Sequence, residues 1–588
     1  MGAVYRIHPA IGIARVGNAD RSSFFIGPEL PGLGPIGDAK VGTRVPSFKS
    51  SGKIKPQAAR FRIWEYAEKN GVLEPQREVN LTEKDCASVE WTVHVANRKA
   101  SFFRFAYQQG EESRAAARRN ASITDPRKLE LDPLPRSISG ANHAPVEFRK
   151  GTSKNPAREL WPNPPPSPSI EYLGELRTDD AGRLIIIGGM GLSSGRPGAL
   201  LATGTNDTFN NDGWFDDVSD GPVTAVLTLK TTRGTQVVPV EPAWVICGPP
   251  DFAPMLSNQV TLYDVLYDMA ARQMPAPIGE GIFNTILSGL VDINLEFQGT
   301  KPAKLKRYKP SFDQEIYPIL RRGQEAIFVF EALKFFHTSL SKYGALGDPS
   351  AATQAARQAV FDRIHVPNTA GNNGRSNMPL MHGDAYAQPA HKHFMCTVTE
   401  TQYALLERWV TGNFIKTAGT FPPAKPTWMT GISPHGLDRA ALENCVGGAL
   451  GPGIEVSWQI RHPKLYTDPF RLNHKATSQY LGDRGPVRAG HFTRQMSLPW
   501  QTDFLSCALT NGLGWWPAQR PDIVYLSKAD FDATPKRSKS WTRPTSAWPS
   551  GGGGPSYREF VDHYYKLGFA YEGPAFYHLE KERDINVP

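Results

Sequence analysis

The chain has 588 residues and a mass of 64.8 kDa, enough to bury a sizeable core. Five cysteines exclude a disulfide scaffold, and 40% apolar with 10% aromatic content excludes a disordered chain. A net charge of +9, with small basic clusters only at Arg114–Arg119 and Lys536–Arg543, is a solvated basic surface and not the concentrated footprint of a nucleic-acid binder.

Gly and Pro number 54 and 50, above the roughly 70 that average usage would give together, so many turns and little long helix are expected. No apolar run approaches the roughly 20 residues a spanning helix needs; the longest lies near Leu184–Met190. At the N-terminus Arg6, His8 and Arg15 interrupt the apolar residues, so no signal-peptide core is expected. The default location is the cytoplasm, with export by a non-classical route left open.

Residues 1–245 read as β-rich. Ser88–Val95 alternates at period two, as a half-buried strand does. Leu173–Leu176 and Arg183–Ile187 flank a turn and predict a hairpin; Val223–Lys230 and Thr235–Pro239 predict a second. Pro162–Ser169 reads as a stiff connection. Residues 246–436 are mixed, with helical spacing over Val260–Arg272, Gln314–Arg322, Ala351–Arg363 and Thr399–Gly412. The last has a threonine cap and a terminal glycine. Residues 437–588 combine short helices with loops rich in Gly and Trp, including the glycine tract Ser550–Pro555. The three regions are expected to pack as one unit. The expected class is α+β and β-rich: antiparallel sheets or a sandwich, with helices inserted around the active site and no βαβ rhythm.

Several motifs invite a function. Gly191-Leu192-Ser193-Ser194-Gly195 has the spacing of a nucleophile elbow, with Ser193 central. The elbow needs a helix directly after the serine, and Arg196-Pro197-Gly198 breaks one, so a glycine-rich turn is the better account. Gly188–Ser194 lacks the third glycine and the helix of a dinucleotide fingerprint. Asn206–Asp220 is dense in carboxylates but lacks the spacing of a calcium loop; Asx turns explain it, or Trp214 and Phe215 line a pocket there. No CxxC pair and no HExxH occurs, and His391, His393 and Cys396 are better read as structural.

The most informative segment is Ser497–Cys507. Pro499 suits a first helical turn and Asn511-Gly512 a stop, so Asp503 and Cys507 stand at i and i+4 on one helix face. A carboxylate raises a neighbouring thiol's pKa, so the pair suits a role in which the acid removes a proton better than one in which the thiol attacks.

Here the sequence resembles the lysine ε-oxidase and glycine oxidase family of quinoproteins, which carry cysteine tryptophylquinone made from their own Cys and Trp. The matching stretches run from Ile7–Asn18 and Phe25–Glu29, through Asp212–Pro222, Val260–Asp264 and Met378–Asp384, to Cys445–Gly448 with Pro452–Glu455, and Pro499–Phe504. The resemblance implies that Cys507 is the cysteine of the quinone, Asp503 the acid needed for its biosynthesis and a candidate base, and Cys445 a second cysteine near the site. It implies Trp541 as the partner tryptophan, with Trp548 as the alternative, because the chain between cysteine and tryptophan is shorter here than in the family. Trp515 and Trp516 read as structural. Phe215 falls where the family carries Tyr or Phe on the substrate route, and leans toward the glycine-type pocket.

The implied activity is oxidative deamination of an amino acid or other primary amine with O2, giving a carbonyl product, ammonia and hydrogen peroxide. The implied partners are that substrate, O2 and a flavoprotein maturation enzyme; no metal, nucleic acid or membrane is implied, and a homo-oligomer is compatible. Two rivals remain: a cofactor-free homologue acting as a binding or structural protein, and a serine hydrolase using Ser193.

Overall fold

The computed structural model describes residues 3–35, 45–69, 72–106, 114–202, 207–275, 288–298, 304–333, 337–369, 378–383, 385, 390–392, 394–416, 431–448, 455–456, 458–481, 485–506, 509–510, 513–514, 518–533, 535–543, 556–573 and 577–584. The glycine tract, Trp515, Trp516, Trp548 and Cys507 lie outside these residues.

The period-two stretches become strands. Cys86–Val93 alternates between buried and more exposed residues, and Trp91 buries its indole and donates to the Gly182 carbonyl at 2.9 Å. Both expected hairpins form: Tyr172–Thr178 pairs antiparallel with Leu184–Gly188, and Ser219–Thr231 with Gly234–Glu241. They belong to one thirteen-stranded sheet. Its main path runs Val4–His8, Gly234–Glu241, Ser219–Thr231, Ala243–Gly248, Ile11–Arg15, Gln57–Lys69, Leu184–Gly188, Tyr172–Thr178, Val146–Arg149. Val4–His8 also pairs with Gln57–Lys69, so six of these strands close into a ring.

Not every pairing is antiparallel. Tyr5 lies beside Val240, Trp244 beside Ile11 and Phe25 beside Gln57 in parallel register. A core of Ile7, Phe61, Trp91, Val93, Leu176, Ile186 and Val245 fills this part of the molecule.

The helices gather around a second core, which includes Leu266, Met269, Phe312, Leu320, Leu406 and Trp409. Leu262–Gln273 and Glu400–Val410 both begin at a capping box, with Thr261 and Thr399 as caps. Gly412, at φ +78°, follows the second helix in the left-handed region that glycine tolerates. The helix expected over Gln314–Arg322 starts instead as a π-helical turn, Phe312–Ile316, and becomes α-helical at Tyr317–Glu325. Pro318 has no N–H to continue the ordinary ladder at this junction.

A third core joins the two ends of the chain: Phe25 and Phe48 from the N-terminal part, Phe252, then Met496, Trp500, Phe504, Trp541, Phe560 and Phe569. This aromatic cluster encloses the short helix Gln501–Ser506.

Candidate active site

The segment leading into that helix has no regular structure, yet every residue from Ala489 to Phe504 is buried. Buried backbone groups need partners, and leaving one without costs about 1–3 kcal/mol. The partners come from the β-rich part. Asp220 accepts from the backbone N–H of Phe492 (3.3 Å) and Thr493 (2.9 Å) and from the Thr493 hydroxyl (2.6 Å). Arg119, wholly enclosed, donates to the carbonyls of Arg494 and Met496. Asn211 donates to the Leu498 carbonyl at 2.8 Å.

Asp216 accepts from the Trp500 N–H at 3.0 Å and from Asn97 at 2.8 Å, and forms an ion pair with Lys99 at 2.5 Å in which neither side chain is exposed. Ser193 donates to the Gln501 side chain at 2.7 Å. The acidic loop thus clamps the segment that delivers the helix.

The helix begins at Gln501, two residues after Pro499, whose carbonyl accepts from the Thr502 N–H at 3.1 Å. The expected first-turn proline is therefore the residue on which the turn folds. The helix ends at Ser506, immediately before Cys507. Asp503 is 1% exposed, and burial pushes its carboxyl well above the usual range. Lys99 opposes that shift and Glu455 reinforces it.

Glu455 is itself fully buried. One oxygen accepts from Arg15 at 2.5 Å; the other accepts from the Val446 N–H at 3.3 Å and from the Cys445 thiol at 3.6 Å. Burial, then the Glu455 charge, drives the Cys445 thiol far above its ordinary value, so it stays protonated. Asp251, 3.9 Å from Arg15, is pushed up to about 7 by burial.

Trp541 is wholly enclosed and packs on Phe252 with ring centres 4.8 Å apart. Its indole N–H donates to the Gly568 carbonyl at 2.9 Å. Arg520 ties it to the helix: its Nε donates to the Phe504 carbonyl at 2.5 Å, and its guanidinium lies 5.4 Å from the Trp541 ring centre.

Of the residues singled out in the sequence, Trp541 thus shares one aromatic cluster with Trp500 and Phe504, the residues that flank Asp503 on its helix, while Cys445 is bonded to Glu455, whose charge acts on Asp503. Trp214 and Phe215 are buried in the short strand Trp214–Asp216, with the Arg196 guanidinium 5.1 Å from the Phe215 ring centre. Ser193 lies in a strand, Ser193–Gly195, and no helix follows it. Its hydroxyl is engaged by an amide and not by a base.

Among the described residues no cluster of His, Cys, Asp and Glu could hold a metal ion. A cavity of about 640 Å³ lies elsewhere, lined by Met269, Arg272, Cys396, Glu400, Trp458 and Arg461, and reaches Gly447 and Gly448 just beyond Cys445. Lys99, Arg15, Asp216 and Glu455 were not identified as site residues from sequence. Three of them stand inside family-like stretches; Lys99 had no signal.

Two family models match this chain. One, described as L-lysine epsilon oxidase N-terminal, covers residues 8–247. The other, L-lysine epsilon oxidase C-terminal domain, covers residues 379–530. The chain belongs to the L-lysine epsilon-oxidase family. The L-lysine 6-oxidase of Marinomonas mediterranea is 29% identical over 567 residues, which span 86% of this chain and 71% of that protein.

Crystal structures of the L-Lys epsilon-oxidase from the same organism share the fold. One superposes with a TM-score of 0.74 at 24% identity, over 99% of this chain and 95% of the other. Another, of its Schiff base intermediate with L-Lys, gives 0.75 at 24% identity over the same shares. The β-rich architecture with one large sheet and added helices is common to this family member and those structures. The Asp503 helix and the Asp216–Lys99 clamp fall at the junction of the parts that the two family models cover or flank.

Proposed function

We propose that this protein is an oxidase of a primary amine carried by an amino acid, using O2 as acceptor and releasing a carbonyl product, ammonia and hydrogen peroxide. The observation that carries this reading is Asp503: a buried carboxyl on the helix that ends at Ser506, one residue before Cys507, with its neighbours Trp500 and Phe504 in the same aromatic cluster as Trp541. Family membership supplies the chemical context.

The cofactor in this reading is cysteine tryptophylquinone, formed from Cys507 and Trp541, with Trp548 as the alternative indole. The described residues fit it. Trp541 is enclosed, its N–H is anchored on Gly568, and Arg520 joins its ring to the Phe504 carbonyl, three positions before Cys507. When formed, such a group supplies an electrophilic carbonyl and an electron sink that no unmodified side chain offers.

The chain's own residues do the rest. The buried Asp503 carboxyl, whose burial favours its protonated form, can return a proton to a leaving group and, once ionised, take one from carbon. Lys99 and Arg15 balance the buried carboxylates of Asp216 and Glu455. Glu455 keeps the Cys445 thiol hydrogen-bonded and protonated, so it does not compete as a nucleophile. In this reading Phe215, buried next to Asp216, belongs to the substrate route.

Maturation needs an external oxidant, and a partner flavoprotein is proposed for it. Intact mass tests the reading. Co-expression with that partner should add roughly 28 Da, from two hydrogens lost in the thioether and two oxygens gained with two further hydrogens lost. Cys507→Ala and Asp503→Asn should abolish both the gain and amine-dependent peroxide release. An unshifted mass in the native chain would favour the cofactor-free binding protein.

A further inference from the structure

The charges of two buried ion pairs act on Asp503. In one, Lys99 meets Asp216, and Asp216 holds the N–H of Trp500, one helical turn before Asp503. In the other, Arg15 meets Glu455, and Glu455 holds the Cys445 thiol and the Val446 N–H. Lys99 has no exposed surface, a costly place for an ammonium unless it serves a purpose.

We propose that Lys99 is the positioning residue of Asp503: through Asp216 it fixes the turn on which the acid-bearing helix starts.

The charged and titratable groups around this arrangement all come from distant parts of the chain. The charges of Lys99 and Glu455 act on Asp503. Those of Asp216, Arg119 and Asp503 act on Lys99. Arg15 and Cys445 face Glu455, and Asp251 lies beside Arg15. Lys99 favours the ionised form of Asp503, whereas Glu455 favours the protonated form. Removing either charge must therefore move Asp503 in opposite directions. A residue that only filled space would give no such sign.

The inference rests on the amine-oxidase reading for its catalytic consequence, but not for its electrostatic one. The test uses the full chain, matured and unmatured, with Lys99→Met, Lys99→Arg and Glu455→Gln. In the unmatured chain, the infrared band of the protonated Asp503 carboxyl, identified by its loss in Asp503→Asn, is titrated with pH. In the matured enzyme, the pH profile of kcat/KM for peroxide release is measured with L-lysine and with glycine.

In Lys99→Met the band midpoint and the rising limb of the profile should move up by about one pH unit; in Glu455→Gln both should move down by about as much. Lys99→Arg keeps the charge and should return the midpoint toward that of the native chain, while its altered reach to Asp216 lowers kcat more than it changes KM. If Lys99→Met fails to fold, Lys99→Arg still decides the matter: a kcat unchanged from that of the native enzyme would overturn the proposal. An unmoved midpoint in Lys99→Met, or shifts of the same sign in Lys99→Met and Glu455→Gln, would overturn the proposal. A native chain that releases no peroxide, yet shows the opposite infrared shifts, would uphold the positioning role and remove the amine-oxidase reading instead.

Discussion

Asp217 offers a prediction whose size follows from the structure. It stands next to Asp216 in the acidic loop and is 1% exposed. One of its oxygens accepts from the Leu192 N–H at 3.1 Å; the other has no hydrogen-bond partner among the described residues. Burial pushes the carboxyl up to about 7 from an ordinary value of 3.8; the Leu192 N–H opposes this, and the neighbouring Asp216 charge adds to it.

The folded chain therefore keeps a proton that the unfolded chain loses near pH 3.8. Between those values the folded state binds more protons at this group, so the contribution of Asp217 to stability is fully present below pH 3.8 and is lost as pH rises to about 7. A gap of about three units corresponds to about 4 kcal/mol, of which about 3 kcal/mol falls between pH 5 and pH 8.

Asp217→Asn removes the titration and keeps the acceptor for Leu192, but buries an amide N–H₂ where the unpartnered oxygen was, at about 1–3 kcal/mol. The variant should therefore be no more stable than the native chain at pH 5 and clearly more stable at pH 8. Urea unfolding followed by tryptophan fluorescence, for both proteins at both pH values, isolates the difference from other buried acids such as Asp251 and Glu315, which titrate in both. A native–variant gap that stays constant from pH 5 to pH 8, or one that grows in the native chain's favour, would refute the reasoning.

Three further outcomes are expected. Ser193→Ala should lose the bond to Gln501 and about 1 kcal/mol of stability, leave peroxide release within a few-fold, and change nothing in labelling by a fluorophosphonate, which should not label the native chain either. Trp541→Phe should abolish the mass gain and cost about 2–4 kcal/mol through lost volume and the orphaned Gly568 carbonyl, whereas Trp548→Phe should keep the mass gain; the reverse pattern by peptide mapping would move the quinone to Trp548. Gly221→Ala would place a methyl 1.7 Å from the His94 carbonyl oxygen and 3.1 Å from the Ala489 side chain, and should destabilise the chain by about 3 kcal/mol or more, read as loss of soluble protein.

Local signals were legible where local forces decide. The hairpin around Asp179–Gly182 and the capped helix Glu400–Val410 follow from alternation, turn residues and a capping box, all within a dozen residues. The ring closure and the parallel pairings were not legible, because Tyr5 meets Val240 across most of the β-rich region and no periodicity encodes that. The buried segment Ala489–Phe504 was half legible. Its resemblance marked Asp503, but a mixed polar and apolar run reads as a surface loop until Asp220, Arg119 and Asp216 are placed around it. Lys99 sits in Asn97-Arg98-Lys99-Ala100-Ser101, which looks like an exposed basic turn; only the fold shows that it faces Asp216.

The acidic loop makes the same point in energetic terms. Read as a string, Asn206–Asp220 is a dense set of carboxylates that Asx turns explain without a metal. In the fold the cations are side chains, and they are graded by depth. Asp207 and Asp212, half-exposed, share Arg104. Exposed pairs of this kind contribute about 0–1 kcal/mol. Asp216 and Asp220, fully buried, hold Lys99, Asn97, Trp244 and four backbone or hydroxyl donors of the C-terminal segment. Removing a partner from such a buried group costs several kcal/mol. The deep acids, not the exposed ones, therefore fix where Trp500 and Asp503 sit, and a change at Asp216 or Asp220 should disturb the Asp503 helix, some 280 residues away in sequence, more than any change on the loop's own surface.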